Sequence, residues 1–121
     1  MREASHVGDF SELIAISADL GKASYEVTRR AQLVVRKTAA DIEASGKRNA
    51  PVDTGHLRGS ISTTISMGGM SAEIGPTASY GAYVEFGTRR MRPQPFMGPA
   101  ADQHFPEFTE AVARLSQDLL W

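Results

Sequence analysis

A chain of 121 residues with 41% hydrophobic and 22% charged side chains has material for one hydrophobic core and one domain spanning residues 1–121, and is too apolar for wholesale disorder. The absence of cysteine excludes disulfides, thiolate catalysis and cysteine-ligated zinc, and no run approaches the ~18 apolar residues of a membrane span or resembles a secretory signal. A formal net charge of −1 lacks the basic excess of a protein that grips phosphates, which argues against tight DNA binding by this chain alone.

Residues 1–8 are expected to be a flexible N-terminal extension in aqueous, cytosolic surroundings. From Asp9 to Leu20 the pattern predicts a short helix, with Asp9 and Glu12 in capping-box positions, apolar Phe10, Leu13, Ile14 and Leu20, and Gly21 to end or bend it. From Lys22 to about Asn49 there is no proline and only one late glycine. Val27, Ala31, Val34, Thr38 and Ile42 recur there at three- and four-residue intervals, one face of a long helix. At 1.5 Å per residue such a helix is ~42 Å long, against a diameter near ~35 Å for a globule of this size. Either it kinks near Gly46 or a neighbouring subunit covers part of it. The pairs Arg29-Arg30, Arg36-Lys37 and Lys47-Arg48 read as solvated faces.

Pro51 cannot continue that helix. In Asn49-Ala50-Pro51-Val52-Asp53-Thr54-Gly55-His56-Leu57-Arg58-Gly59-Ser60-Ile61, Asp53 and Thr54 can cap the N–H groups of a following turn, and Gly55 permits a positive φ. Next comes a β-hairpin. Ile61 to Met67 is β-branched and rich in Ser and Thr, Gly68-Gly69 turns the chain, and Met70 to Gly75 returns. Ile61, Thr63, Ile65 and Met67 share one face, and Ser62, Thr64 and Ser66 the solvated one.

Tyr80-Gly81-Ala82-Tyr83-Val84-Glu85-Phe86 suits a helical turn that places Tyr83 beside Phe86, and Gly87 stops it. Thr88 to Phe96 holds Arg89, Arg90, Arg92, Pro93 and Pro95, the composition of an extended loop. Finally Phe105, Phe108, Val112, Leu115 and Leu119 mark an amphipathic C-terminal helix whose regular part is expected to begin at Pro106. The fold class that follows is α+β, a long N-terminal helix and a C-terminal helix packed on a small antiparallel β-sheet.

The chemistry-bearing motifs are few. Asp53-Thr54-Gly55 has the triplet of a retroviral-type aspartic protease, in which two copies bring two carboxylates together to share one proton. That chemistry needs the triplet at the end of a buried apolar strand, yet a basic-polar helix and Pro-Val precede it here, and His56 follows where a small residue is expected. His6, His56 and His104 stand isolated, with no carboxylate or second histidine at metal-ligand spacing, so no metal and no other cofactor is expected.

Three strings in order, Ala50 to Ile61, Tyr80 to Thr88, and Pro93-Gln94-Pro95-Phe96-Met97-Gly98-Pro99-Ala100, flanked by the two helices, resemble the HK-ninety-seven gene-product-ten-like neck and tail-component proteins of tailed bacteriophages. The resemblance covers roughly residues 20–120. Pro51, Asp53, Thr54, Gly55 and Leu57 match the first motif, Tyr83, Glu85, Phe86, Gly87 and Thr88 the second, and Pro93, Gln94, Pro95, Phe96 and Pro99 the third. The chain departs in His56, where Asn, Arg or Lys is common, and in the arginine-rich stretch before Pro93.

The resemblance implies a virion structural protein without catalysis, assembled in the host bacterial cytoplasm into a homo-oligomeric ring, a hexamer or dodecamer, at the head–tail junction. Its implied partners are copies of itself, the head-connector or stopper protein, and the tail-terminator or tail-tube protein. DNA is passing cargo only, and no membrane is involved. Arg89, Arg90, Arg92, Pro93, Gln94, Pro95 and Phe96 are expected to form a subunit interface, ordered by a neighbour, with Phe96 as its apolar anchor. Two other readings compete, a small nucleic-acid-binding module using Arg89 to Arg92 and the dimeric aspartic protease.

Overall fold

The computed structural model describes residues 13–18, 20, 23–51 and 55–118. Helix α1 spans Tyr25–Asn49 and begins at Ser24, whose hydroxyl accepts from the Val27 N–H at 3.1 Å, one of the first-turn donors that no helical carbonyl can reach. Its buried stripe is Val27, Ala31, Val35, Thr38, Ala39, Ile42, Ser45 and Gly46, with Val34 at the margin. The periodicity thus locates the correct face.

Of the two alternatives for the length of α1, an interruption near Gly46 is not found. α1 runs on to Asn49, and the Gly46 carbonyl accepts from the Ala50 N–H at 3.0 Å. What Gly46 provides is closeness, since a Cβ there would lie 2.6 Å from Met97 Sδ.

Strand β1 is Ile14–Ser17, helix α2 His56–Ser60, strand β2 Ile61–Ser66 and strand β3 Ser71–Pro76. The strands form one antiparallel sheet in the order β1-β3-β2, with Ile14 and Thr63 both opposite Ile74, and Ile16 and Ile65 both opposite Ala72. β1 corrects the expected helix over residues 9–20. Ile14 and Ile16 are buried and Ala15 and Ser17 exposed, a period of two that pairs with the free edge of β3, a partner that local sequence does not display. Residues 1–12, 19, 21 and 22 lie outside the described ones, and with them the proposed caps Asp9 and Glu12, the terminal extension and His6.

The hairpin matches expectation except at its tip. Met67 to Gly69 make a turn in which Met67, Gly68 and Gly69 all have positive φ, and Met67, assigned to the buried face, is 75% exposed. The Gly68 carbonyl accepts from Gln32 Nε2 at 2.6 Å, which ties the tip to α1.

Helix α3 is Gly81–Phe86 and helix α4 is Met97–Asp118. α4 starts nine residues before the expected Pro106, which sits inside it. The proline ring is exposed, so the helical bond it cannot donate is lost on the solvent side, while Met97, Ala100 and Ala101 bury the first turns. α1 covers one face of the sheet and α4 lies along α1. Between them sits a core whose fully buried members include Val35, Ile42, Ile61, Ile74, Phe96 and Met97. Among the described residues no helix is long and apolar enough to cross a membrane.

One polar bridge joins helix to sheet. Glu43 Oε1 accepts from the Thr63 hydroxyl at 2.7 Å, and Oε2 lies 3.1 Å from Lys47 Nζ. Partial burial opposes the Glu43 charge, but the Thr63 hydrogen bond and the Lys47 ammonium outweigh it and hold the carboxyl below its ordinary 4.5. A carboxyl depressed on folding stabilises the fold above its unfolded value and loses that contribution as pH falls through the folded one. Thr63→Val should therefore cost up to ~1 kcal/mol at neutral pH. The difference from the parent should shrink in urea titrations carried down to about pH 3, and a gap that does not narrow on acidification would contradict this account.

Candidate functional site

The three sequence motifs converge around the start of α4. Gly55, at φ +79°, leads into α2, and Leu57 is buried. At the end of α2 the Ser60 carbonyl accepts from the Thr77 N–H at 3.0 Å, while the Ser60 hydroxyl accepts from the Ala78 N–H at 3.2 Å and donates to the Leu57 carbonyl at 2.8 Å. His56 Nδ1 meets the Tyr80 hydroxyl at 2.9 Å. The first motif is thereby fastened to the approach to α3. Asn49 Nδ2 donates to the Phe96 carbonyl at 3.1 Å, which fastens the end of α1 to the third motif.

The centre of the cluster is Glu85, buried at 7% exposure. Its Oε1 accepts from the backbone N–H groups of Phe96 at 3.1 Å and Met97 at 2.9 Å, and its Oε2 from that of Gly98 at 3.0 Å. A carboxylate accepting three first-turn donors both satisfies groups that α4 cannot and places negative charge at the positive end of the helix dipole. The closeness extends to Gly98, where a Cβ would stand 3.1 Å from Glu85 Oε2.

Sequence reasoning placed Glu85 in a motif without a role. The available signal was an acid in an apolar helical turn, together with a helix whose lead-in, Pro95-Phe96, has no Ser, Thr, Asp or Asn to cap it.

Between α3 and α4 the chain is held by its own residues. The Gly87 N–H donates to the Tyr83 carbonyl at 2.8 Å, Thr88 and Met91 exchange backbone bonds at 2.8 and 3.3 Å, and the Gln94 N–H donates to the Val84 carbonyl at 2.8 Å. The Thr88 hydroxyl accepts from the Arg90 N–H at 3.1 Å. These bonds tie the loop to α3 and to itself within the one chain. Phe96, expected as an apolar anchor for a neighbour, is fully buried in this chain's own core, with its backbone N–H held by Glu85. Arg89, Arg90, Arg92, Pro93, Gln94 and Pro95 are exposed, as are Tyr83 at 60% and Phe86 at 56%.

Asp53 and Thr54 lie outside the described residues. The segment that holds them connects α1, ending at Asn49, to α2, beginning at His56, so among the described residues it is flanked by helices on both sides.

Residues 14–87 match a family model described as "Bacteriophage HK97-gp10, putative tail-component". The match takes in the first motif and the second through Gly87; the third motif and α4 lie beyond it. No curated protein and no solved structure matches the chain.

Proposed function

The chain belongs to the bacteriophage HK97-gp10-like family of tail components, and from that membership we propose a ring-forming virion subunit at the head–tail junction, in the neck or in tail completion. It links the head connector to the tail and lets DNA pass without acting on it chemically. The observation that carries this reading beyond the family is the exposure of Tyr83 and Phe86 of α3 and of Arg89, Arg90 and Arg92 of the loop that follows. Tyr and Arg are the side chains that anchor protein interfaces, and arginine pairs strongly with carboxylates across a contact. Tyr25 and Leu33 leave a second apolar area on α1, 82% and 54% exposed. A copy of the chain on one side and a stopper, terminator or tube protein on the other would cover such surfaces.

Replacing Arg89, Arg90 and Arg92 together by Glu should leave the melting temperature of the free chain at the parent's value and weaken assembly by about tenfold or more. Native mass spectrometry and electron microscopy of assembled particles read the effect. A parent that forms no ring, alone or with head and tail partners, and instead binds DNA in a salt-sensitive way lost in this variant, would replace the proposal with the nucleic-acid module.

A further inference from the structure

Helices α1 and α4 bring together one side chain of the first and two of the second. Asp41, His104 and Glu107 each offer a ligand atom within 4.8 Å of the others, which corrects the expectation that His104 stands without a carboxylate near it. We propose that these three residues form a divalent-cation site, suited to Zn2+, that clamps α4 to α1.

The case rests first on His104. Its side chain is 14% exposed, its Nε2 lies 2.8 Å from Ser45 Oγ, and that oxygen also accepts from Arg48 at 2.8 Å. Its Nδ1 is buried with no hydrogen-bond partner, the nearest carboxylate oxygen, Glu107 Oε1, being 4.0 Å away. A buried polar atom left without a protein partner costs free energy, and a water or a bound ion is what can satisfy it. In the tautomer that donates Nε2–H to Ser45 the lone pair is on Nδ1, the outer-partner arrangement that orients metal-bound histidines.

The second argument is the ligand set. His104 and Glu107 are three apart on one helix and Asp41 comes from the facing one, the spacing by which helix bundles hold metals. One imidazole and two carboxylates suit Zn2+ better than Mg2+, which prefers oxygen alone. Zinc needs its ligand atoms about 3.4 Å apart, and the Glu107 side chain, 74% exposed, is free to close that distance.

One cation competes. Lys37 Nζ lies 2.8 Å from Asp41 Oδ2, and that hydrogen bond and charge, with Glu107 further off, hold the lysine above its ordinary pKa. A carboxylate can meet an ammonium through one oxygen and a metal through the other. Glu110 on the same helix is paired with Arg114 at 3.0 Å.

The test is titration of the tag-free full chain with Zn2+ and, separately, Mg2+, followed by calorimetry, thermal melting and the nitrogen resonances of the histidine rings. The expected result is uptake of one Zn2+ per chain with a rise in melting temperature and a shift centred on His104 Nδ1, and none of these with Mg2+. Glu107→Gln, at an exposed side chain that does not endanger the fold, and Asp41→Asn should each weaken Zn2+ binding by about tenfold or more. Lys37→Gln should tighten it. A His104 resonance that Zn2+ does not move, or uptake that Glu107→Gln leaves unchanged, would overturn the site.

Discussion

Glu85→Ala should cost the fold about 3 kcal/mol and loosen α4 from its first turn, since three N–H groups lose one charged acceptor at once. Hydrogen bonds to a charged group contribute roughly 1.5–3 kcal/mol each, and the sum is reduced because part of the first turn of α4 regains water when the cap is gone. Glu85→Gln separates charge from shape. One amide oxygen can keep the Phe96 and Met97 bonds, but its NH2 group faces the Gly98 donor and the charge at the helix N-terminus is lost, so the variant should fall between parent and Ala. Urea denaturation gives the order, and hydrogen exchange gives the place. The amides of Phe96, Met97 and Gly98 should exchange faster by a larger factor than those of the sheet. If Glu85→Ala unfolds within about 0.5 kcal/mol of the parent, the carboxylate is not what holds the start of α4.

The second large effect belongs to Gly87. Its backbone, φ +79° and ψ 174°, lies in a region open essentially to glycine alone, where another residue is strained by about 1–3 kcal/mol. A Cβ would also stand 2.8 Å from the Met91 carbonyl oxygen and from the ring and nitrogen of Pro93. Those neighbours are main chain and a closed ring, and neither can swing aside as a long side chain does. Strain and overlap together put Gly87→Val at about 4 kcal/mol. Gly87→Ala should cost nearly as much, because the first added carbon makes the collisions. That near-equality distinguishes the mechanism from a simple preference for flexible residues, which would grade the two. The damage should spread to α4, since the same loop carries the Gln94 N–H to the Val84 carbonyl and delivers Phe96 to the Glu85 cap. Parent-like melting of Gly87→Ala would rule out both the collision and the conformation.

The motif cluster was legible as a set of residues but not as a mechanism. Pro51, Gly55 and Leu57 mark the connection from α1 to α2, and Gly87 marks the stop after α3, because proline and glycine restrict or free the backbone at their own positions whatever surrounds them. Glu85 differs, as its partners lie eleven to thirteen residues downstream. Nothing in the spacing of the chain says which helix an acid will cap when the local capping position is empty. The arginines of the loop are exposed, as its extended, proline-containing composition implies. Phe96 did not read as core, because two flanking prolines look like solvent-facing chain until the cap that holds its N–H is known.

Periodicity in the chain was enough for the long helix, the hairpin and the α+β class, since each rests on side chains that repeat over many residues and sum to one buried face. Four residues are too few for that sum. Ile14 to Ser17 carry apolar positions compatible with either period, and the open edge of β3 made them a strand. The start of α4 was settled in the same way, by Glu85 capping from outside the helix and by Gly46 letting Met97 approach α1. A helix end or an edge strand takes its free energy from groups distant in sequence, and only the folded chain brings those groups into contact.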